Sequence, residues 1–102
     1  MKAFHEKKIE IICEEPIAER VLEVIESAGA RGYTVIPTRG GRGEAGTFRE
    51  AIVSDSLSNV VIIVIANDKV AETLVEKVYQ LLRNYSGIIY TSDVEVLRPD
   101  RF

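Results

Sequence analysis

The residues best suited to chemistry in this chain form one short stretch, Thr38-Arg39-Gly40-Gly41-Arg42-Gly43. Glycines let successive backbone N–H groups turn toward a common point, a geometry that cradles anions. Arginines beside them add fixed positive charge in a planar fork suited to phosphate or carboxylate. A glycine motif this short is weak by itself, so a flexible hairpin hinge and an anion site both stay open at this point. Arg31, Arg39, Arg42 and Arg49 cluster locally, which favours a small anion over a polymer, although Arg49 also reads as an ordinary solvated charge.

Elsewhere the side chains offer little chemistry. His5 is the only histidine and lacks cysteine or acid partners at ligand spacing, so it reads as a surface residue rather than a metal ligand. Cys13, inside an apolar run, reads as a small buried hydrophobe without the histidine partner of a nucleophile. Asp55, Asp93 and Glu95 show no pairing suited to acid–base work. Tyr33, Tyr79, Tyr85 and Tyr90 read as packing residues, with Tyr85 or Tyr90 candidates to line a cleft.

The chain is expected to form a single domain over residues 1–102, large enough for its own core but limited in how much surface it buries alone. A net charge of −3 argues against general nucleic-acid binding, which needs a broad basic surface. One cysteine permits no internal disulfide, and Met1 to Glu6 lacks a signal-peptide apolar core, so a cytoplasmic location is expected. The longest aliphatic run, Val60 to Ala66, suits a strand and is too short to span a bilayer.

The elements that must position the glycine-arginine corner follow from periodicity. Lys7 to Cys13 reads as a first strand. Pro16 suits the first turn of a helix, and Ile17, Val21, Val24, Ile25 and Ala28 recur at helical spacing up to Gly29. Gly32 to Thr38 reads as a second strand, followed by a long polar excursion in which Gly43, Gly46 and Ser54-Asp55-Ser56 give little reason for fixed structure. Val60 to Ile65 is apolar on both sides, so both its faces need cover. One helical layer covers only one face; the other calls for a second copy of the chain. Asn67-Asp68 caps a second helix with Val70, Leu74, Val75, Val78, Leu81 and Leu82 as its stripe, and Ile88 to Leu97 is the last strand. The order βαββαβ predicts an α+β, ferredoxin-like fold.

Three stretches in this frame carry a resemblance. Ala28-Gly29-Ala30-Arg31-Gly32-Tyr33-Thr34-Val35 running into Gly40-Gly41-Arg42-Gly43, then Asn84-Tyr85-Ser86-Gly87-Ile88-Ile89-Tyr90, then Ser92 to Phe102, together resemble the PII signalling family. The resemblance is nearest to its inorganic-carbon branches, the SbtB regulators of bicarbonate transport and the carboxysome-associated PII proteins. It implies a homotrimer that binds adenine nucleotide between subunits and signals through the long T-loop between the second and third strands. By position, Thr34 is implied near the adenine, Arg39, Gly40, Gly41, Arg42 and Gly43 near the phosphates, and Thr38 among the nucleotide-binding residues. Gly87 and Ile88 are implied to offer backbone, and Arg98 or Arg101 to reach in from a neighbouring subunit. Bicarbonate is a second implied ligand, and a bicarbonate transporter or carboxysome component an implied T-loop partner.

Two departures bear on the ligand. Where the resembled family carries a phosphate-gripping lysine, this chain has Ile88, which favours ADP, AMP or cyclic AMP over ATP. No tyrosine lies between Thr38 and Ser58, so the modified tyrosine of the bacterial T-loop has no counterpart. The paired-cysteine ending of the SbtB branch is also missing, so the carboxysome-associated branch fits better. The resemblance implies no enzyme and no catalytic cofactor. Two other readings compete. One is a small phosphoryl-handling enzyme, acylphosphatase-like or a slow nucleotide hydrolase. The other is a CutA-like trimeric metal-responsive protein, against which a lone His5 and a lone Cys13 argue.

Overall fold

The computed structural model describes residues 1–43, 46–48 and 58–98. In chain order the elements are β1 (Phe4–Glu14), α1 (Glu15–Ser27), β2 (Thr34–Pro37), β3 (Gly41–Gly43), β4 (Gly46–Phe48), β5 (Asn59–Ala66), α2 (Asp68–Leu82) and β6 (Gly87–Val96). Four of the strands form one sheet in the order β2-β5-β1-β6, every neighbouring pair antiparallel. With its two crossover helices this is the α+β, ferredoxin-like arrangement that the order of elements implies.

Alternation along β1 decides which face is which. Ile9, Ile11 and Cys13 are buried and lie opposite Val64, Ile62 and Val60 of β5, which are buried too. Both helices cover that face: Ile17, Val21 and Ile25 of α1, with Ala71, Leu74, Val78 and Leu82 of α2, complete one core. Pro16 stands in the first turn of α1, where its missing N–H costs nothing. Gly29 takes the positive φ of 99° that lets the chain leave α1. Asn67 caps α2, its Oδ1 accepting from the Val70 N–H at 2.8 Å.

The opposite face of the sheet is open in a single chain. Val61, Ile63 and Ile65 of β5 are half-buried there. Across the strands the register sets Ile36, Val61, Ile12 and Ile88 in one apolar row, and Thr34, Ile63, Glu10 and Tyr90 in the next.

The structure differs from expectation in two places. The second strand is shorter, Thr34 to Pro37 rather than Gly32 to Thr38, and Pro37 near its end has no N–H to give the ladder. The stretch around Gly43 and Gly46, expected to lack fixed structure, forms a two-stranded ribbon in which Gly41 faces Phe48, Arg42 faces Thr47 and Gly43 faces Gly46. Backbone donors and acceptors pair between strands whether or not the side chains alternate, which is why the pattern gave no hint. The Ser54-Asp55-Ser56 run lies outside the described residues.

Candidate functional site

The base of the excursion between β2 and β5 is clamped by backbone. Both the Thr38 N–H, at 3.1 Å, and its hydroxyl, at 3.0 Å, donate to the carbonyl of Asn59. The N–H of Glu15, at the start of α1, donates to the Ser58 carbonyl at 2.9 Å. Together these bonds hold the point where the glycine-arginine corner leaves the sheet.

Beside that clamp lies a cleft of about 510 Å³, lined by Ile12, Thr38, Gly40, Gly41, Arg42, Asn59, Val61, Ser86, Gly87 and Ile88. Its floor is the apolar row of the open sheet face, Val61, Ile12 and Ile88. One wall is the corner, with the Arg42 charge and two glycines. The other is the turn between α2 and β6, carrying Ser86 and Gly87. An apolar floor suits a flat ring. A wall of glycine backbone and one guanidinium suits an anion at the ring's far end. A β-carbon at Gly41 would meet no protein atom within 4 Å, so ligand can approach the backbone there.

The structure therefore brings together six of the residues named from sequence: Thr38, Gly40, Gly41, Arg42, Gly87 and Ile88. Thr38 sits at the wall, but both its donors are engaged by Asn59, so it braces the corner. Arg39 is exposed between two lining residues and does not itself line the cleft. Gly43 sits in the β3–β4 ribbon. Thr34 lies on the open face opposite Ile63, one row beyond the cleft floor. Arg98 follows the far end of β6, which at Val96 stands about 30 Å along the strand from Gly87 at roughly 3.3 Å per residue, out of reach of its own chain's cleft. Arg101 lies outside the described residues, as does Arg49.

Four lining residues escaped the sequence reading. Ile12 and Val61 show their role only once register is known, Asn59 carries no motif, and Ser86 lies in the resembling Asn84 to Tyr90 stretch without a site role implied for it. Tyr85 and Tyr90 do not line the cleft. The Arg20 guanidinium donates to the Tyr85 hydroxyl at 2.7 Å. The Tyr90 hydroxyl donates to Glu10 at 3.1 Å, and this bond to a carboxylate raises the phenol's pKa. Lys8 pairs with the same carboxylate at 3.1 Å, so Glu10 carries two partners on the open face. Away from the cleft, Lys7 and Asp93 form an ion pair that raises the amine's pKa and lowers the carboxyl's. Burial pushes the Cys13 thiol up to about 11, leaving it uncharged at neutral pH. Among the described residues no group of three or more His, Cys, Asp or Glu side chains could hold a metal ion. No helix among them is long and apolar enough to cross a membrane.

Fold and cleft together define a ferredoxin-like protein with a phosphate-suited corner opening onto an apolar sheet face. The chain belongs to the P-II family: the model of the nitrogen regulatory protein P-II matches residues 6–101. Among solved structures it is similar to CPII of Thiomonas intermedia K12, a PII-like protein bound to ADP, AMP and bicarbonate. That match has 26% identity and a TM-score of 0.89, covering 99% of this chain and 96% of the other. CPII bound to ADP and bicarbonate matches at 28% identity and a TM-score of 0.87, covering 99% and 97%. A protein of Thermus thermophilus described as PII-like and signalling matches at 26% identity and a TM-score of 0.82, covering 100% and 99%.

Proposed function

We propose that this protein is a non-catalytic sensor of adenine nucleotides, with ADP and AMP favoured over ATP and cyclic AMP a further candidate. The cleft carries the reading: the Gly40-Gly41-Arg42 corner and the Ser86-Gly87 turn face one another across an apolar floor. The purine lies over Val61 and Ile12 toward Thr34, and the phosphates lie against Arg42, Gly40 and Gly41, with Arg39 and Gly43 flanking. Gly87 and Ile88 offer backbone. CPII, similar over nearly the full length, binds ADP, AMP and bicarbonate, which supports both the nucleotide and bicarbonate as a second ligand.

The site is completed by a neighbouring copy in a homotrimer. Arg98 stands too far along β6 to serve its own cleft, so it, or Arg101, serves a neighbour's. The excursion that begins at the corner acts as a T-loop. Nucleotide shifts its arrangement only by binding one arrangement better than another, and the Arg42 and Gly41 contacts supply that difference. The output is regulation of inorganic-carbon handling in the cytoplasm, through a bicarbonate transporter or carboxysome component.

A thermal-shift panel of ATP, ADP, AMP and cyclic AMP, with and without bicarbonate, tests the ligand, because a compound that binds the folded form raises its melting point. ADP and AMP give the largest shifts. Calorimetry on Arg42→Ala shows weakened ADP binding to a protein that still folds and assembles. Unchanged ADP affinity in that variant removes Arg42 from the site, and multiple turnovers of nucleotide in a chromatographic assay restore the hydrolase reading. A divalent-metal titration that releases heat favours the CutA-like reading instead.

A further inference from the structure

Both walls of the cleft connect to the same helix, the Ser86-Gly87 turn through Tyr85 and the corner indirectly, through the Thr38–Asn59 clamp and the neighbouring Ser58. At the first residue of α1, the Glu15 N–H bonds the Ser58 carbonyl, one residue before the lining Asn59. Five residues on, Arg20 Nη1 bonds the Tyr85 hydroxyl at 2.7 Å, one residue before the lining Ser86. The Arg20 guanidinium also stands 5.7 Å from the centre of the Tyr85 ring. Five residues of α-helix rise about 7.5 Å, a fixed spacing that no loop could hold. Outside the β6 ladder that begins at Gly87, the turn carrying Tyr85 has one further backbone bond, from its N–H to the Leu82 carbonyl at 2.9 Å.

We infer that α1 is the strut that sets the width of the cleft, with the Arg20–Tyr85 bond as the tie that keeps the Ser86-Gly87 wall at binding distance from the Gly40-Arg42 wall. Arg20 is a positioning residue and touches no ligand. A wall held before ligand arrives spares the ordering cost at binding, so affinity rises without a new contact. Tyr85 gains from the tie being charge-assisted, which makes it stronger than a bond between neutral groups. The consequence for nucleotide rests on the reading of this cleft as the nucleotide site; the mechanical tie does not.

The experiment uses the full chain with Tyr85→Phe, Arg20→Gln and the double variant. Tyr85→Phe keeps the ring and removes only the acceptor. Amide hydrogen exchange of Ser86 and Gly87, followed without nucleotide, is expected to accelerate in both single variants while exchange in the β1 core stays unchanged. ADP affinity by calorimetry falls about fivefold in each, the equivalent of one ordinary hydrogen bond. The double variant falls no further, because both changes cut the same tie. Unaltered exchange at Ser86 and Gly87 overturns the strut, whatever the nucleotide data show. Accelerated exchange with ADP affinity intact overturns the claim that wall position governs binding. A wild-type chain that binds no adenine nucleotide overturns the site reading and the binding consequence together, and the exchange data then judge the tie on its own.

Discussion

A β-carbon added at Gly87 would stand 3.0 Å from the carbonyl oxygen of Ile12 and 3.2 Å from Leu82 Cδ2. The Ile12 oxygen belongs to the central strand and cannot step aside, whereas the Leu82 side chain can. Gly87→Ala therefore pushes the start of β6 away from β1. Overpacking of this kind costs about 1–3 kcal/mol. The expected outcome is a lower denaturation midpoint together with weaker ADP binding, since Ser86 and Ile88 move with the strand.

Gly41 gives the opposite result for the same substitution. A methyl there meets open space, so Gly41→Ala changes stability by no more than about 0.5 kcal/mol. Gly41 lines the cleft, so an added methyl stands off a ligand that approaches its backbone. ADP affinity is expected to fall at least about fivefold while the melting point without nucleotide holds. Calorimetry beside thermal denaturation separates the two effects. A loss of stability matching the loss of binding would place Gly41 among the structural glycines instead.

Ile88 lines the cleft near the start of β6, next to Ile12, and is more than half exposed. Ile88→Lys puts a mobile cation where an outer phosphate would lie. Charge-assisted contacts are about twice as strong as neutral ones, so the ratio of ATP to ADP affinity is expected to rise about tenfold. Competition binding of the two nucleotides measures it. No change in the ratio would show that the phosphates lie away from β6.

Much of this was legible from residue order, for identifiable reasons. The apolar alternation of β1, the helical stripes ending at Gly29 and Leu82, and the Asn67 cap are local signals, and all are present in the structure. The corner was legible because glycine and arginine are unusual enough in company to stand out. Ile12 and Val61 were not, because an aliphatic residue on a strand reads the same over a cleft floor as over a core. Only the register separates Ile12 from Ile11. The Arg20–Tyr85 bond joins residues 65 positions apart, and although Arg20 is the only basic residue of α1, nothing within the helix names its partner. The β3–β4 ribbon rests on backbone pairing, which leaves no trace in side-chain type.

Cys13 is buried in the core, 1% exposed, and its thiol is pushed up to about 11 from an ordinary value of 9.0, first by burial and then by the nearby Glu14 charge. The unfolded chain loses this proton near pH 9 and the folded chain only near 11. Between those values the folded state holds more protons, so stability falls as pH rises, by up to about 1.4 kcal/mol per pH unit from this group. Below pH 9 the group contributes no slope. Cys13→Ala removes this part of the alkaline decline, seen as a shallower loss of urea midpoint from pH 9 to 11 relative to wild type. The same burial makes the thiol unreactive toward a thiol reagent at neutral pH until the protein is unfolded.

Ile63 lies on the open sheet face directly opposite Glu10, one row beyond the cleft floor, and takes no part in the helix-side core. If neighbouring copies cover this face, Ile63→Glu does two things at once. It takes an apolar side chain out of the seam, and it sets a second carboxylate across from Glu10, which already holds Lys8 and Tyr90. Like charges directly opposite on a sheet repel, and burying an unpaired charge in an interface costs far more than leaving it wet. The single chain tolerates the change because that face is open to water, so circular dichroism is expected to show an intact fold. Light scattering after size exclusion then reports a monomer where wild type reports a trimer. ADP affinity drops with assembly, because the arginine at the far end of β6 can reach a cleft only on another copy. A monomeric Ile63→Glu that binds ADP as tightly as wild type would show that one chain builds the whole site, and Arg98 would lose its assigned role.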